Sequence, residues 1–198
     1  MKIIFNGKYI SKKILKHLDA DDANSLHILP ETVLIQNNLP FFHPDFTGNL
    51  YAFIQPGVKI NKLGKSIEAN FAENYYDEIG FFIQFIAMDF LKKLARKTSS
   101  YTTAISFDYC LNAGEFIKTD TLAKGVMCEA KLNDANFKEY IVWKKGIDNT
   151  IETASRFFTL KTGDIILSGE GIMLKHVIQD SQIELRVDDY AYLNCRVK

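Results

Sequence analysis

Four prolines, three cysteines and one tryptophan are few for 198 residues, and neither sign of charge is in excess. Each shortage excludes something. Cys110, Cys128 and Cys195 are odd in number, widely spaced and without a CxxC pair, so they read as reduced thiols of a cytoplasmic protein rather than a disulfide framework. Twenty-four basic residues balance twenty-four acidic ones, which argues against a nucleic-acid partner held by a broad basic face. No apolar run approaches the ~18–20 residues of a membrane span, so no membrane partner is expected. The opening MKIIFNGKYISKK has no apolar core and no small-residue cleavage site, and does not read as a secretory signal. What is present is ordinary, with 47% apolar and 24% charged residues. A chain of this length buries roughly 70% of its unfolded surface and needs no staple. The expectation is one domain, residues 1–198.

Turn residues divide the chain into many short strands and few helices. Lys2–Phe5 reads as a strand stopped by Asn6-Gly7. Ile10, Ile14, Leu15 and Leu18 recur at helical spacing. Leu50–Gln55 is a strand closed by Pro56-Gly57, which Val58–Ile60 resumes. Ser66–Glu73 reads as two turns of helix, and IGFFIQFI (79–86) as a buried strand. Phe90, Leu91 and Leu94 form the inner stripe of a helix ending near Lys97, with Lys92, Lys93, Arg96 and Lys97 on its solvated face. Gly125–Leu132 and Lys138–Trp143 read as a hairpin around Asn133–Asn136. Ile151–Phe158 is a helix, Asp164–Ser168 a short strand, and Gln182–Val187 with Ala191–Val197 a terminal hairpin. The class is α+β and strand-rich.

Few residues announce chemistry on their own. His17, His27, His43 and His176 show no metal-ligand spacing, and His43-Pro44-Asp45 marks a turn, where polar residues are expected anyway. There is no GxSxG elbow. Gly169 and Gly171 form a GxG without the rest of a dinucleotide or phosphate fingerprint and read as a tight turn. Asp77-Glu78 and Asp188-Asp189 are adjacent pairs, which on a strand point to opposite faces.

Four segments taken in order carry more. Phe157 to Gly169 (FFTLKTGDIILSG) looks like an L-x-x-G-D-hydrophobic-hydrophobic signature ahead of G-T-P. Residues 48–65 resemble a strand and turn carrying Glu-x-Glu, and Tyr75–Asp89 a strand ending in D-x-x-x-R-D. Phe107-Asp108 through Gly114-Glu115-Phe116 looks like a stretch that follows an active-site lysine. Together they resemble the fumarylacetoacetate hydrolase family from Pro30 to Val197. The resemblance implies a mixed β-sandwich or β-roll with a few short peripheral helices: a lid-like portion at 1–45 and a β-rich core at 46–198. It also implies a homodimer.

The family's reactions are metal-dependent cleavage, decarboxylation, tautomerisation or isomerisation of 2-oxo and 1,3-diketo acids. Mg²⁺ or Mn²⁺ held by Glu-x-Glu and a later Asp acts as Lewis acid on the substrate's oxo-carboxylate end. Carried over position by position, that cage is missing. The two glutamates fall on Phe53 and Gln55, and the aspartate on Gln84. The arginine falls on Met88, which leaves Asp89, and the lysine on Ile105. The threonine of G-T-P falls on Glu170, with Gly171 in place of the proline, and the lid histidine on Lys13 or Lys12. The expectation is a vestigial pocket lined by Phe53, Gln55, Gln84, Met88, Ile105 and Glu170, with no catalytic residue and no cofactor. The protein would then be a non-catalytic binding or assembly subunit, with a small 2-oxo-acid-like molecule as a possible ligand. The alternative is an active hydrolase, isomerase or decarboxylase with relocated ligands for Mg or Mn, drawing on Glu170, Asp89 and Lys13.

Overall fold

The computed structural model describes residues 1–7, 26–35, 39–97, 100–188 and 190–198. The strands in chain order are β1 (Ile3–Asn6), β2 (Leu26–Leu29), β3 (Leu34–Ile35), β4 (Leu50–Ile60), β5 (Tyr76–Ala87), β6 (Leu111–Ala113) and β7 (Ile117–Lys118). They continue with β8 (Val126–Leu132), β9 (Ala135–Ile141), β10 (Ile165–Leu167), β11 (Ile172–Val177), β12 (Gln182–Val187) and β13 (Tyr190–Arg196). Among the described residues, two α-helices, α1 (Met88–Arg96) and α2 (Trp143–Phe157), lie between the strands. The large sheet runs β2-β1-β10-β4-β5-β6-β3, with β11 also on β4 and β7 on β5, and the small one runs β13-β12-β8-β9. β1 with β10 and β3 with β6 are parallel and the other pairs antiparallel, so the large sheet is mixed. The architecture is α+β and strand-rich, as expected.

Strands β4 and β5 form the spine, paired from Leu50–Ala87 to Ile60–Tyr76. From Ile79 to Ala87 every residue of β5 is buried. A strand covered on both faces reads as a continuous apolar run instead of alternating, which is why this segment was legible. Pro56-Gly57 does not close a strand, because β4 runs straight through it. A proline inside a central strand normally costs a ladder bond. Here β11 pairs with residues 50–54 and β10 with 57–59, so Pro56 lies in the gap between two neighbours. Its carbonyl still accepts from the Ser168 N–H at 2.9 Å.

The β8–β9 hairpin turns at Asn133-Asp134, with Leu132 opposite Ala135 and Asn133 at φ 52°. The turn is therefore two residues long, not the four expected, and β9 ends before Trp143. That tryptophan instead opens α2, which starts well before Ile151. Trp143, Ile147, Thr150, Ile151, Ala154 and Ser155 form its buried stripe at helical spacing. Residues 69–75 make a 3-10 helix rather than two α-turns further upstream. The helix expected around Ile10–Leu18 lies outside the described residues.

Candidate functional site

Phe53, Gln55 and Gln84 come together. Positions 53 and 55 of β4 share a face because strand side chains alternate, and Gln84 of β5 lies directly opposite Phe53. All three are fully buried. The Gln55 amide nitrogen donates to the Gln84 side-chain oxygen at 2.8 Å, and the Gln84 amide nitrogen donates to the Ile105 carbonyl at 3.1 Å. At the other end, the backbone N–H of Gly169 donates to the Gln55 side-chain oxygen at 3.0 Å. The result is a directional relay from the turn after β10, through β4 and β5, to the 3-10 turn that ends at Ile105. The Phe53 ring meets Phe5 edge-on, with centroids 6.4 Å apart.

This relay is neutral and closed on itself. Its amide oxygens already accept hydrogen bonds, and the third position is a hydrocarbon ring with no lone pair to offer. A hard divalent cation needs several oxygen ligands and compensating negative charge, so these residues do not fit Mg²⁺ or Mn²⁺. Among the described residues, no group of three or more His, Cys, Asp or Glu side chains could hold a metal ion.

The other expected positions have separate fates. Ile105 is buried and joins the relay through its carbonyl, not its side chain. Met88 is buried at the start of α1. Asp89 beside it is held by the Thr47 hydroxyl, by the Gly48 N–H at 3.0 Å and by the Phe90 N–H at 2.8 Å. Burial raises its pKa, but these donors outweigh burial and hold the carboxyl below its ordinary value. Glu170 is exposed, one residue beyond the relay's Gly169. Lys12 and Lys13 lie outside the described residues.

The two glycines of this turn are required for packing. Gly169 has φ +70°, and a Cβ there would come within 2.5 Å of the Asn6 carbonyl oxygen. A Cβ on Gly171 would overlap the carbonyl oxygen of Ile54, because the chain crosses β4 backbone against backbone. The positive φ expected of this GxG is found at Gly169 and not at Gly171, which is required instead by its contact with β4. Sequence reasoning missed the relay's ends, Ile105 C=O and Gly169 N–H, since backbone groups have no sequence signature.

A second polar cluster adjoins Phe5. The His27 ring stacks on it at 6.1 Å, with Nε2 3.3 Å from the Tyr101 hydroxyl and Nδ1 3.4 Å from Thr102 Oγ1. Burial lowers the pKa of this histidine. A third cluster joins α2 to the sheet: the Tyr76 hydroxyl donates to Asp148 at 2.7 Å, and Lys144 pairs with Asp148 at 2.7 Å and Glu73 at 3.0 Å. Burial first, and then the Asp148 carboxylate, raise the Tyr76 pKa well above its usual range. The three cysteines are free and buried. Burial pushes Cys128 up to about 12 and Cys195 to about 11, so neither is a nucleophile near neutral pH.

Two cavities lie elsewhere. One of about 430 Å³ is lined by Leu34, Leu39, Phe42 and Tyr109, and one of about 470 Å³ by Glu115, Glu184, Arg186 and Tyr192. Neither reaches Phe53, Gln55 or Gln84.

No family profile matches the chain. A curated relative does: the mitochondrial oxaloacetate tautomerase of Mus musculus is 22% identical over 179 residues, covering 87% of this chain and 80% of that protein. Among solved structures, the fumarylpyruvate hydrolase of Pseudomonas aeruginosa, in complex with Mn²⁺ and pyruvate, superposes with TM-score 0.83 at 16% identity. It covers all of this chain and 89% of its own. A protein of Yersinia pestis described as of the fumarylacetoacetate hydrolase family reaches 0.82 at 20% identity, over all of this chain and 92% of that one. The solved structures agree in fold and the curated relative is similar in sequence: the chain has the fold of the fumarylacetoacetate hydrolase family proteins that it resembles.

Proposed function

We propose that this chain no longer runs a metal-dependent reaction on 2-oxo or diketo acids and serves as a non-catalytic binding or assembly subunit. The observation that supports this is the Gln55–Gln84 bond at 2.8 Å inside a fully buried face. Two carboxylates facing each other at that separation repel and call for a cation, whereas two amides bond to each other and need none. Phe53 fills the remaining corner. A substrate chelated there would need both the charge and the space that these residues remove.

Relocated ligands find little support. Asp89 is occupied by three donors, and among the described residues Glu170 belongs to no group of three or more His, Cys, Asp or Glu side chains that could hold a metal ion. The test is turnover of oxaloacetate and of an acylpyruvate by the purified full chain, with Mg²⁺ and with Mn²⁺. The proposal expects no rate above the protein-free control. Metal-dependent turnover that disappears in Glu170→Gln would overturn it.

A further inference from the structure

Three large apolar side chains that the fold leaves open border one cavity. It has a volume of about 430 Å³ and lies against β3, the edge strand of the large sheet. Leu34 and Ile35 of β3 form one wall and Leu39 with Pro40 another, while Phe42, Asp108 and Tyr109 complete the lining. Leu39, Phe42 and Tyr109 are 55, 67 and 62% exposed, a large share of hydrocarbon for one patch to leave in water. The volume falls within the range of small-molecule sites.

The rest of the fold fixes these walls. The Asn112 amide nitrogen donates to the Leu39 carbonyl at 3.0 Å, and the Phe41 and His43 N–H groups donate to Arg196 O and Lys198 O at 2.9 and 2.8 Å. Phe41 makes a β-bridge to Val197, and its ring stacks on Phe85 at 3.8 Å. Successive side chains of extended chain alternate, so burying Phe41 turns Phe42 outward. Across the cavity, the Tyr109 N–H donates to Thr32 O at 3.0 Å, and the next residue, Cys110, is buried. Leu34 and Ile35 pair with Leu111 and Asn112 of β6. A site already in place loses little affinity to ordering when a ligand arrives.

Asp108 decides the charge of the ligand. Among the described residues it is the one charged side chain in the lining, and nothing pairs with its carboxylate. An anionic ligand would set its charge beside Asp108 with no Lys, Arg or His of the lining to meet it. An ammonium pairs with Asp108, and Phe42 and Tyr109 offer aromatic faces, whose negative quadrupole attracts a cation. Leu34, Ile35, Leu39 and Pro40 call for a hydrocarbon body on the same molecule.

We propose that this cavity binds a small hydrophobic ammonium compound, an arylalkylamine in its protonated form. The ammonium sits on Asp108 beside Phe42 and Tyr109, and the hydrocarbon lies against β3. The inference stands on this cavity alone and is independent of the state of the Gln55–Gln84 site, so its test uses no metal and no 2-oxo acid. Calorimetric titration of the full chain at pH 7 compares three probes that share a phenylethyl body: phenethylammonium, the neutral 2-phenylethanol and the anionic 3-phenylpropionate. The amine should bind saturably, roughly tenfold more tightly than the alcohol, as one charge-assisted contact provides, and the carboxylate should not bind. Asp108→Asn should weaken the amine roughly tenfold and leave the alcohol unchanged. Phe42→Leu keeps the hydrocarbon and removes the ring, so it should weaken the amine about two- to fivefold. Both residues are exposed, and each variant should melt as the wild type does. A wild-type chain that takes up no amine at millimolar concentration overturns the proposal. So does an amine affinity untouched by Asp108→Asn, or a carboxylate or alcohol bound as tightly as the amine.

Discussion

Gln55 and a glutamate have the same shape and differ only in NH₂ for O, yet that atom decides whether the site repels or closes. An amide donates as well as accepts, so Gln55 and Gln84 bond directly, and the backbone groups of Gly169 and Ile105 satisfy the ends. Breaking such a relay in a buried face leaves donors and acceptors unpaired. Gln84→Leu strands the Gln55 amide and the Ile105 carbonyl and should lower stability by about 1–3 kcal/mol, read from urea denaturation with an unchanged slope. A loss under about 0.5 kcal/mol would mean that the relay contributes little. The side-chain members of this site were legible from resemblance alone, because each is a residue identity at an aligned position. Its backbone members were not: a carbonyl is present at every position, and only the fold decides which one a glutamine reaches.

At the scale of elements, α2 shows what sequence pattern resolves and what it misses. Its later turns were readable from Ile151 and Ala154, but the first two contain Gly146, a weak helix former, after a strand that already ends in apolar residues. Tertiary contacts settle the start. The Trp143 indole donates to Ala123 O at 2.6 Å, and the Ser155 hydroxyl accepts from the Ile67 N–H at 2.8 Å. Gly146 lets the helix pack against the turn that carries Gly169, since a Cβ there would lie 3.2 Å from the Ser168 carbonyl oxygen. The helix is also held by Asp148, which receives Tyr76 and Lys144. Asp148→Ala strands a largely buried phenol and should lower the melting temperature by several degrees, from about 1–3 kcal/mol and roughly 2–4 °C per kcal/mol at this chain length. Tyr76→Phe in the same background should restore part of the loss, because it removes the stranded hydroxyl. The strand through Pro56 was illegible for a related reason, as only the gap between β10 and β11 makes proline acceptable there.

For the whole molecule, the pKa directions set the pH dependence. Burial lowers the His27 pKa below its ordinary 6.5, so folding favours the neutral ring. Its contribution is fully present above about pH 6.5 and is lost as pH falls through the folded-state value. Burial raises Asp164, but the Lys2 ammonium and the backbone N–H groups of Lys161 and Lys2 outweigh it and hold the carboxyl below its ordinary 3.8. That contribution persists above about pH 4 and is lost as pH falls further. Melting temperature should therefore be flat near neutrality and fall in two stages on acidification. His27→Gln should remove the upper stage and leave the lower one. A melting temperature in wild type that first declines below pH 4 would contradict the role given to His27.

The central proposal is that the positions matched to the metal ligands of the fumarylacetoacetate hydrolase family form a neutral hydrogen-bonded core that takes up no metal, and Mn²⁺ titration of the wild-type chain followed by thermal unfolding tests it most directly. A ligand present at 100 times its dissociation constant and bound only to the native state stabilises by about 2.7 kcal/mol, roughly 5–10 °C for a chain of this length. The account predicts no change in melting temperature up to millimolar Mn²⁺. A saturable rise of several degrees, abolished by EDTA and by Gln84→Leu, would contradict it.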